Sequence, residues 1–187
     1  DKVTEGVDDE GNPVNRLYAY LDGKAMNYDV HQNVDLSQVK FTTGDGSVTH
    51  RRAARGDVLR VSASGNMVTS AVMIFCAEQP LNLQNGKNWD ATSVYPPVCR
   101  VSAGVLNRVL GEYVELAVGD PAGGVGALAT ETYRYTEASV MLYDTERDKL
   151  SVLQTPELQN YLYENNEAVR IFARTNMGVL QTVLIIE

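Results

Sequence analysis

The last twenty residues, 168–187, constrain the fold more than any other stretch, because few structures satisfy their side chains. Val169, Ile171 and Ala173 alternate with two arginines and a phenylalanine, which is the two-residue period of a β-strand. After a turn that contains glycine, positions 183–186 are all apolar, which indicates a strand covered by protein on both faces. The stretch therefore predicts a two-stranded hairpin whose second strand lies inside the molecule.

The same period and the same kind of turn recur along the chain. They predict hairpins at 16–30, 57–76 and 138–153, and further strands at 34–42, 98–103, 112–118 and 130–136. Both limbs of the hairpin at 57–76 are expected to be well covered. Apolar residues between 105 and 110 are spaced by three and four, which predicts one helical turn. The sequence Thr-Pro-Glu at 155–157 supplies a cap, a first-turn proline and an acid, which predicts a short helix at about 156–164.

Composition agrees with a mainly β fold. The 24 valines against 4 isoleucines, the 10 tyrosines and the frequent turns predict an antiparallel β-sandwich or barrel with one short helix and long loops. Residues 1–15 are acidic and carry glycine and proline, so we expect a flexible N-terminal arm before a single β-rich domain at 16–187. The echo of Arg60–Ala63 by Arg100–Ala103 is too short to indicate a duplication.

The charge balance argues against nucleic acid as a direct partner. The formal net charge is -8, whereas phosphate binding needs a surplus of lysine and arginine on one face. The basic cluster His50-Arg51-Arg52 with Arg55 is interpreted as a solvated turn or as a patch that contacts an acidic neighbour. No apolar run approaches the roughly 20 residues of a membrane-crossing helix, so no membrane insertion is expected.

Groups that could carry catalysis are few. His31 and His50 lie in turn-like surroundings without the ligand spacing of a zinc site. The chain has no Gly-x-Ser-x-Gly motif, and the glycine-rich loop Gly119–Gly126 lacks the Lys-Ser/Thr of a phosphate-binding loop. A Ser-His-Asp arrangement drawn from distant positions stays open. We therefore predict a protein that is not an enzyme and has no cofactor.

Two further chemical features stay open. Cys76 ends an apolar run and is interpreted as a small buried residue, but its pairing with Cys99 is undecided. The acidic stretches Asp8–Asn12 and Asp144–Asp148 offer oxygen ligands for Ca²⁺ without the spacing of an EF-hand, so solvated turns are favoured there.

The aromatic side chains give the best argument for binding. Tyr18 and Tyr20 share one face of a predicted strand, so two phenol rings stand side by side if the opposite, leucine-containing face is core. Such a pair can stack on a sugar or anchor an interface; a second apolar layer over the rings is the alternative. Trp89 and Tyr95, in the long irregular stretch 80–97, are the other two ligand or interface candidates.

These observations support three functional hypotheses. The first is a non-catalytic structural protein that assembles with copies of itself or with a scaffold, as in virion shells, phage tails or surface fibres, at a virion or extracellular surface. The alternative is a carbohydrate-binding or adhesion β-sandwich module. The tripeptide Arg-Gly-Asp at 55–57 is of the adhesion type, but its aspartate opens a predicted strand, which presents the carboxylate poorly. The third is an enzyme of unrecognised type, which needs His31 or His50 beside a carboxylate in a pocket.

Overall fold

The computed structural model describes residues 2–7, 10–81, 84, 99–118, 129–135, 137–162 and 169–187. The chain is mainly β, with 65% strand and 4% helix, so the predicted class of β-sandwich or barrel is confirmed. The described strands form two sheets of seven strands each.

The first sheet, which we call the first unit, curves into a half-barrel. Its strands are β1 (Lys2–Val7), β2 (Pro13–Leu21), β3 (Lys24–Val30), β4 (Val39–Thr42), β5 (Val48–Arg51), β6 (Val58–Ser64) and β7 (Met67–Phe75). The strands β1, β2 and β3 form an antiparallel meander, and β3 lies parallel to the start of β7. The hairpin β4–β5 adds parallel to the later part of β7, and β6 pairs antiparallel with β7.

The second sheet, the second unit, closes into a barrel. Its strands are β8 (Cys99–Leu110), β9 (Tyr113–Val118), β10 (Ala129–Arg134), β11 (Ser139–Asp144), β12 (Lys149–Leu153), β13 (Arg170–Asn176) and β14 (Val179–Ile186). A ring of pairings joins β8 to β9, β9 to β10, β10 to β14, β14 to β13 and β13 back to β8. The hairpin β11–β12 adds parallel to β14.

The two units have the same connectivity. Each has a three-strand meander, then a hairpin, then a second hairpin whose last strand lies parallel to the third and fourth strands. The last hairpins also agree in register: each has a bulge two residue pairs from its turn, between Ser62/Ala63 in β6 and between Arg174/Thr175 in β13. Positions 58–64 therefore correspond to 170–176. The short echo seen in the sequence joins β6 to β8, which are not equivalent strands.

One pairing distinguishes the units. In the second unit, residues 99–104 of β8 pair with 171–176 of β13, and the rest of β8 pairs with β9. In the first unit, β1 pairs only with β2 and β6 only with β7, among the described residues. The first unit therefore stays open between β1 and β6, where the second unit is closed.

Three apolar clusters stabilise this arrangement. The barrel core of the second unit includes Leu106, Val114, Ile171, Leu180 and Ile185. The half-barrel core of the first unit includes Leu17, Val30, Phe41, Val68 and Met73. The junction core joins the units, and in it the rings of Phe75 and Phe172 have centroids 5.4 Å apart.

The predicted hairpin at the end of the sequence is confirmed. Strands β13 and β14 pair antiparallel and turn at Met177-Gly178, where both residues have positive φ. Val183 and Ile185 lie in the barrel core, whereas Leu184 and Ile186 lie in the junction core. The strand is apolar at each of these positions because it is covered by protein on both faces.

The helical turn predicted between 105 and 110 is wrong. Residues Cys99–Leu110 form one continuous strand with a bulge between Leu106 and Arg108. The strand has partners along both edges, β9 and β13, and this tertiary pairing outweighs the helical spacing of its apolar residues.

The helix predicted at about 156–164 is a 3-10 helix at Thr155–Tyr161. Its N-cap is Gln154 rather than the threonine, and the backbone N–H of Gln154 donates to the Glu157 carboxylate over 2.6 Å. Leu162 is already extended and bridges to Leu106 of β8.

Three differences concern the first unit. Lys2–Val7, expected to belong to a flexible arm, pair along their whole length with β2, and their charged side chains are typical of a protected sheet edge. The strand predicted at 34–42 is reduced to Val39–Thr42, because turns occupy the residues before it. The prediction that both limbs of the 57–76 hairpin are well covered is wrong for β6, which is exposed or half-buried throughout.

Candidate functional site

The opening between β1 and β6, which we call the seam, borders a cavity of about 540 Å³. On the half-barrel side its walls are apolar side chains of β2 and β6: Leu17, Ala19, Leu21, Leu59, Val61 and Ala63. On the other side lie apolar side chains of the second unit: Val101, Met141, Phe172 and Leu184. The volume falls within the range of ligand sites, and apolar groups of both units face it.

Strand β2 extends beyond its partner β1 at the seam. Pairing with β1 begins at Lys2 opposite Tyr18, so residues 19–21 of β2 have a strand partner on the β3 side alone, among the described residues. In the second unit, the equivalent residues 116–118 of β9 also pair with 104–106 of β8. In the described part of the chain, the seam thus leaves two backbone edges without a strand partner, one on β2 and one on β6.

The side chains of β6 that line the cavity are more exposed than the equivalent side chains of β13. Leu59 and Val61 are half-buried and Ala63 is exposed. The residues at the positions of Leu59 and Val61 in the second unit, Ile171 and Ala173, are 1% and 0% exposed. The first half of β8 covers this region of β13, and among the described strands none covers it on β6.

Three more apolar side chains are exposed on the first three strands of this unit. Val3, Met26 and Leu21 are 38%, 39% and 54% exposed. Cross-strand pairs place Val3 opposite Leu17 and Met26 opposite Ala19, so these side chains share the face that forms the half-barrel core. Val3 and Leu21 line the cavity together with Leu59 and Val61 of β6, and a group of exposed apolar side chains of this kind typically marks an interaction site.

Polar contacts of the β2–β3 turn hold one end of the seam against the second unit. The Asp22 carboxylate accepts hydrogen bonds from Arg174 and from the Thr182 hydroxyl, the latter over 3.0 Å. The Ser139 hydroxyl donates to the Asp22 carbonyl over 2.8 Å. Asp22 has a positive φ and Gly23 follows in the same turn, so the hairpin places this carboxylate at the junction.

The Arg-Gly-Asp tripeptide makes structural contacts at the same junction. Arg55 forms an ion pair with Asp148 over 2.9 Å, and Gly56 packs against the ring of Tyr143 so closely that a Cβ would lie 2.2 Å from it. The Asp57 carboxylate accepts hydrogen bonds from two backbone N–H groups, of Ala54 over 2.8 Å and of Ala77 over 2.9 Å. Each residue of the tripeptide therefore has contacts within the molecule.

Burial shifts the pKa values of Asp57 and Cys76 in this region. Burial raises the pKa of the Asp57 carboxyl, although its backbone donors act in the opposite direction. Burial, followed by the nearby Asp57 carboxylate, raises the pKa of the Cys76 thiol. Cys76 is buried and unpaired, and a thiol held protonated in this way is a poor nucleophile.

The four predicted ligand or interface residues have different surroundings. Tyr20 packs against the junction core and lines the cavity, whereas Tyr18 is half-buried with the Lys2 ammonium 5.1 Å from its ring centroid. The two rings therefore do not form one open platform. Trp89 and Tyr95 lie outside the described residues.

The histidines and the acidic turns lie apart from the seam. Neither His31 nor His50 borders the cavity, and Nδ1 of His31 accepts a hydrogen bond from the Asn33 backbone. Asp144 and Asp148 instead interact with Arg147 and Arg55, and the stretch Asp8–Asn12 is only partly described. In the described part of the chain, no group of three or more histidine, cysteine or acidic side chains could hold a metal ion.

Comparison with known proteins does not identify a function, so the function is inferred from the geometry of the seam. No family model, no curated protein and no solved structure matches the chain. Within the described ranges, no helix has the length and apolar character that a membrane crossing requires.

Sequence reasoning missed most of the seam residues. The alternation Leu59, Val61, Ala63 predicted a strand but not which strand would lie beside it. No signal of this kind separates the two similar hairpins, 57–76 and 168–187, because the second limb of each contains at least four consecutive apolar residues, at 71–77 and at 183–186.

Proposed function

We propose that this protein is a non-catalytic structural protein that assembles, through the seam of the first unit, with copies of itself or with a scaffold. The observation that carries the proposal is the opening between β1 and β6, where apolar side chains and two strand edges are exposed together. Exposed strand edges are templates for pairing with another chain, and natural proteins usually protect them. The type of assembly, whether virion shell, phage tail or surface fibre, stays a prediction.

The chemistry around the cavity favours contact over reaction. The carboxylates at its junction end make structural contacts, since Asp22 accepts from Arg174 of the second unit and Asp57 accepts from two backbone groups close to it in the first unit. Neither histidine lies at the cavity. The carbohydrate-binding alternative has less support, because the Tyr20 ring packs against the junction core.

The test is sedimentation velocity over a wide range of protein concentration, with A63R as the disrupting variant. Ala63 is exposed and lines the cavity, so an arginine there charges the seam with little effect on packing. A129R is the matched control, because Ala129 is exposed on β10, away from the cavity. We expect the wild type and A129R to form a defined oligomer that buries more than ~1,000 Å² per contact, and A63R to stay monomeric. A wild type that stays monomeric at high concentration, with or without the scaffold fraction of its source, would contradict the proposal.

A further inference from the structure

We propose that the seam accepts an extended apolar segment of a partner polypeptide, laid antiparallel to β6 and in line with β1. This inference rests on the proposed function, because it specifies the kind of contact through which assembly occurs. It follows from the strand connectivity that the two units share, since only the second unit is closed among the described residues.

The second unit shows how a strand fits at this position. Residues 99–104 of β8 pair antiparallel with β13, and residues 104–106 pair with β9 before the strand continues beside it. The corresponding edges of the first unit are 59–64 of β6 and 19–21 of β2, by the shared register of the two units. Among the described residues no strand pairs with these edges, so a segment of about eight extended residues would pair with β6 along its first part and with β2 at its end.

The direction of the segment follows from the same correspondence. Strand β8 is continuous, so its first half, beside β13, and its second half, beside β9, run in one direction. Strand β1 corresponds to the second half of β8, since β1 pairs antiparallel with β2 in the same way as that half pairs with β9. The segment thus runs parallel to β1, as an upstream continuation of its line, and antiparallel to β6.

The walls of the cavity determine the chemistry of the segment. One side is formed by half-barrel residues such as Leu59 and Val61, and the other by residues of the second unit such as Phe172 and Leu184. A strand between two apolar walls is apolar on both faces. The corresponding part of β8 is apolar on its junction face, with Val101, Ala103 and Val105 in the junction core, and small or apolar on its barrel face, where Ser102 and Gly104 precede Leu106.

A peptide segment accounts for more of the seam than a small apolar molecule does. The cavity volume alone would suit either ligand. The two strand edges supply main-chain donors and acceptors at the regular spacing of a β-ladder, which only another extended backbone satisfies along its length. In strand addition of this kind, main-chain hydrogen bonds supply affinity and side-chain pockets supply specificity.

The test uses a fluorescently labelled peptide with the sequence of residues 99–106 carrying C99S, titrated into the protein and followed by anisotropy. The control peptide carries S102P and A103P in addition, because proline removes the main-chain donors that a ladder needs. We expect the first peptide to bind wild type and A129R. We expect binding to weaken at least tenfold for A63R, and at least tenfold for the proline peptide. Hydrogen exchange at Leu59–Ser64 should slow when the peptide binds.

Several results would overturn the inference. One is equal binding of the two peptides, and another is binding without slower exchange at Leu59–Ser64. A third is binding only when the peptide is fused to the chain ahead of Lys2. This result would show that the seam is completed within one chain. A fourth is binding of decanoate in the cavity with no binding of either peptide, which would show a site for small amphiphiles.

These outcomes separate the inference from the proposed function. If A63R abolishes oligomers but no peptide binds, assembly through the seam stands and strand acceptance fails. If the peptide binds as expected but the wild type neither self-associates nor binds a scaffold, strand acceptance stands and the assembly function fails.

Discussion

The two units of this protein have the same strand connectivity and differ at one pairing. In the second unit, β8 is 12 residues long and joins β9 to β13, which closes the barrel. In the first unit, β1 is 6 residues long and, among the described strands, pairs only with β2. Half of one strand therefore decides whether the apolar interior is closed along this edge or left open among the described strands.

The difference is visible in matched side chains. Ile171 of β13 is 1% exposed, whereas Leu59 at the same position of β6 is half-buried. Both strands belong to hairpins with the same bulge and the same register. The contrast in burial therefore arises from the neighbouring strand rather than from the hairpin itself.

The largest expected effect comes from truncating this matched pair. Ile171→Ala removes a fully buried side chain from the barrel core and should lower the free energy of unfolding by about 2–5 kcal/mol. Leu59→Ala should cost about 1 kcal/mol, because water already reaches part of its side chain. Chemical denaturation of the isolated variants measures both. Equal losses would mean that β6 is covered as fully as β13.

A second substitution tests whether the two units pack in one fixed arrangement. Gly56 has φ +84° and a Cβ there would lie 2.2 Å from the ring of Tyr143 in the second unit, so Gly56→Ala should cost roughly 2–4 kcal/mol from backbone strain and overpacking. Gly46 has φ +86° with nothing within 4 Å, so Gly46→Ala should cost only about 1–2 kcal/mol. If thermal unfolding gives the same loss for both variants, the close contact between the units is absent.

The junction should also make stability depend on pH through Asp57. Burial raises the pKa of this carboxyl in the folded state above its ordinary value near 3.8. The folded chain then binds the proton more tightly than the unfolded chain, so the contribution is fully present below 3.8 and is lost as pH rises through the folded pKa. Wild-type stability measured relative to Asp57→Asn should therefore fall with rising pH across this window. A difference that rises with pH would show that the backbone donors outweigh burial.

The smallest expected effect concerns the ion pair at the β2–β3 turn. The side chains of Arg174 and Asp22 are 37% and 51% exposed, so Asp22→Asn should cost at most about 1 kcal/mol, and less at high salt. Asp144→Asn, which removes the exposed pair with Arg147, is the control within one unit. Denaturation at low and high ionic strength gives the comparison. A salt-independent loss of several kcal/mol would assign this pair a much larger part in holding the units together.

Much of the local structure could be predicted from the sequence. Alternating apolar residues and turn residues located the hairpins at β2–β3, β6–β7, β11–β12 and β13–β14, because these pairings join neighbouring segments. Pairings between distant segments left no such local pattern. The contact of β8 with β13 is the decisive example, since it joins residues about seventy positions apart.

The candidate site was predicted less well for the same reason. Leu59, Val61 and Ala63 alternate as Val169, Ile171 and Ala173 do, so this alternation does not indicate that only the second set is covered. Tyr18 and Tyr20 were selected as a pair on one strand face, but the second unit packs on Tyr20 and not on both rings. Whether an outward ring is exposed depends on tertiary packing, which a strand period does not report.

Hydrogen exchange of the dilute, unassociated chain tests the open seam most directly. Amides of 59–64 in β6 and of 171–176 in β13 occupy equivalent positions, and only β13 has strand partners on both edges among the described strands. We predict that alternate amides of β6 exchange with little protection while those of β13 are protected along the whole strand, and that β6 becomes protected on assembly. Equal protection of the two strands in the dilute chain would contradict the account.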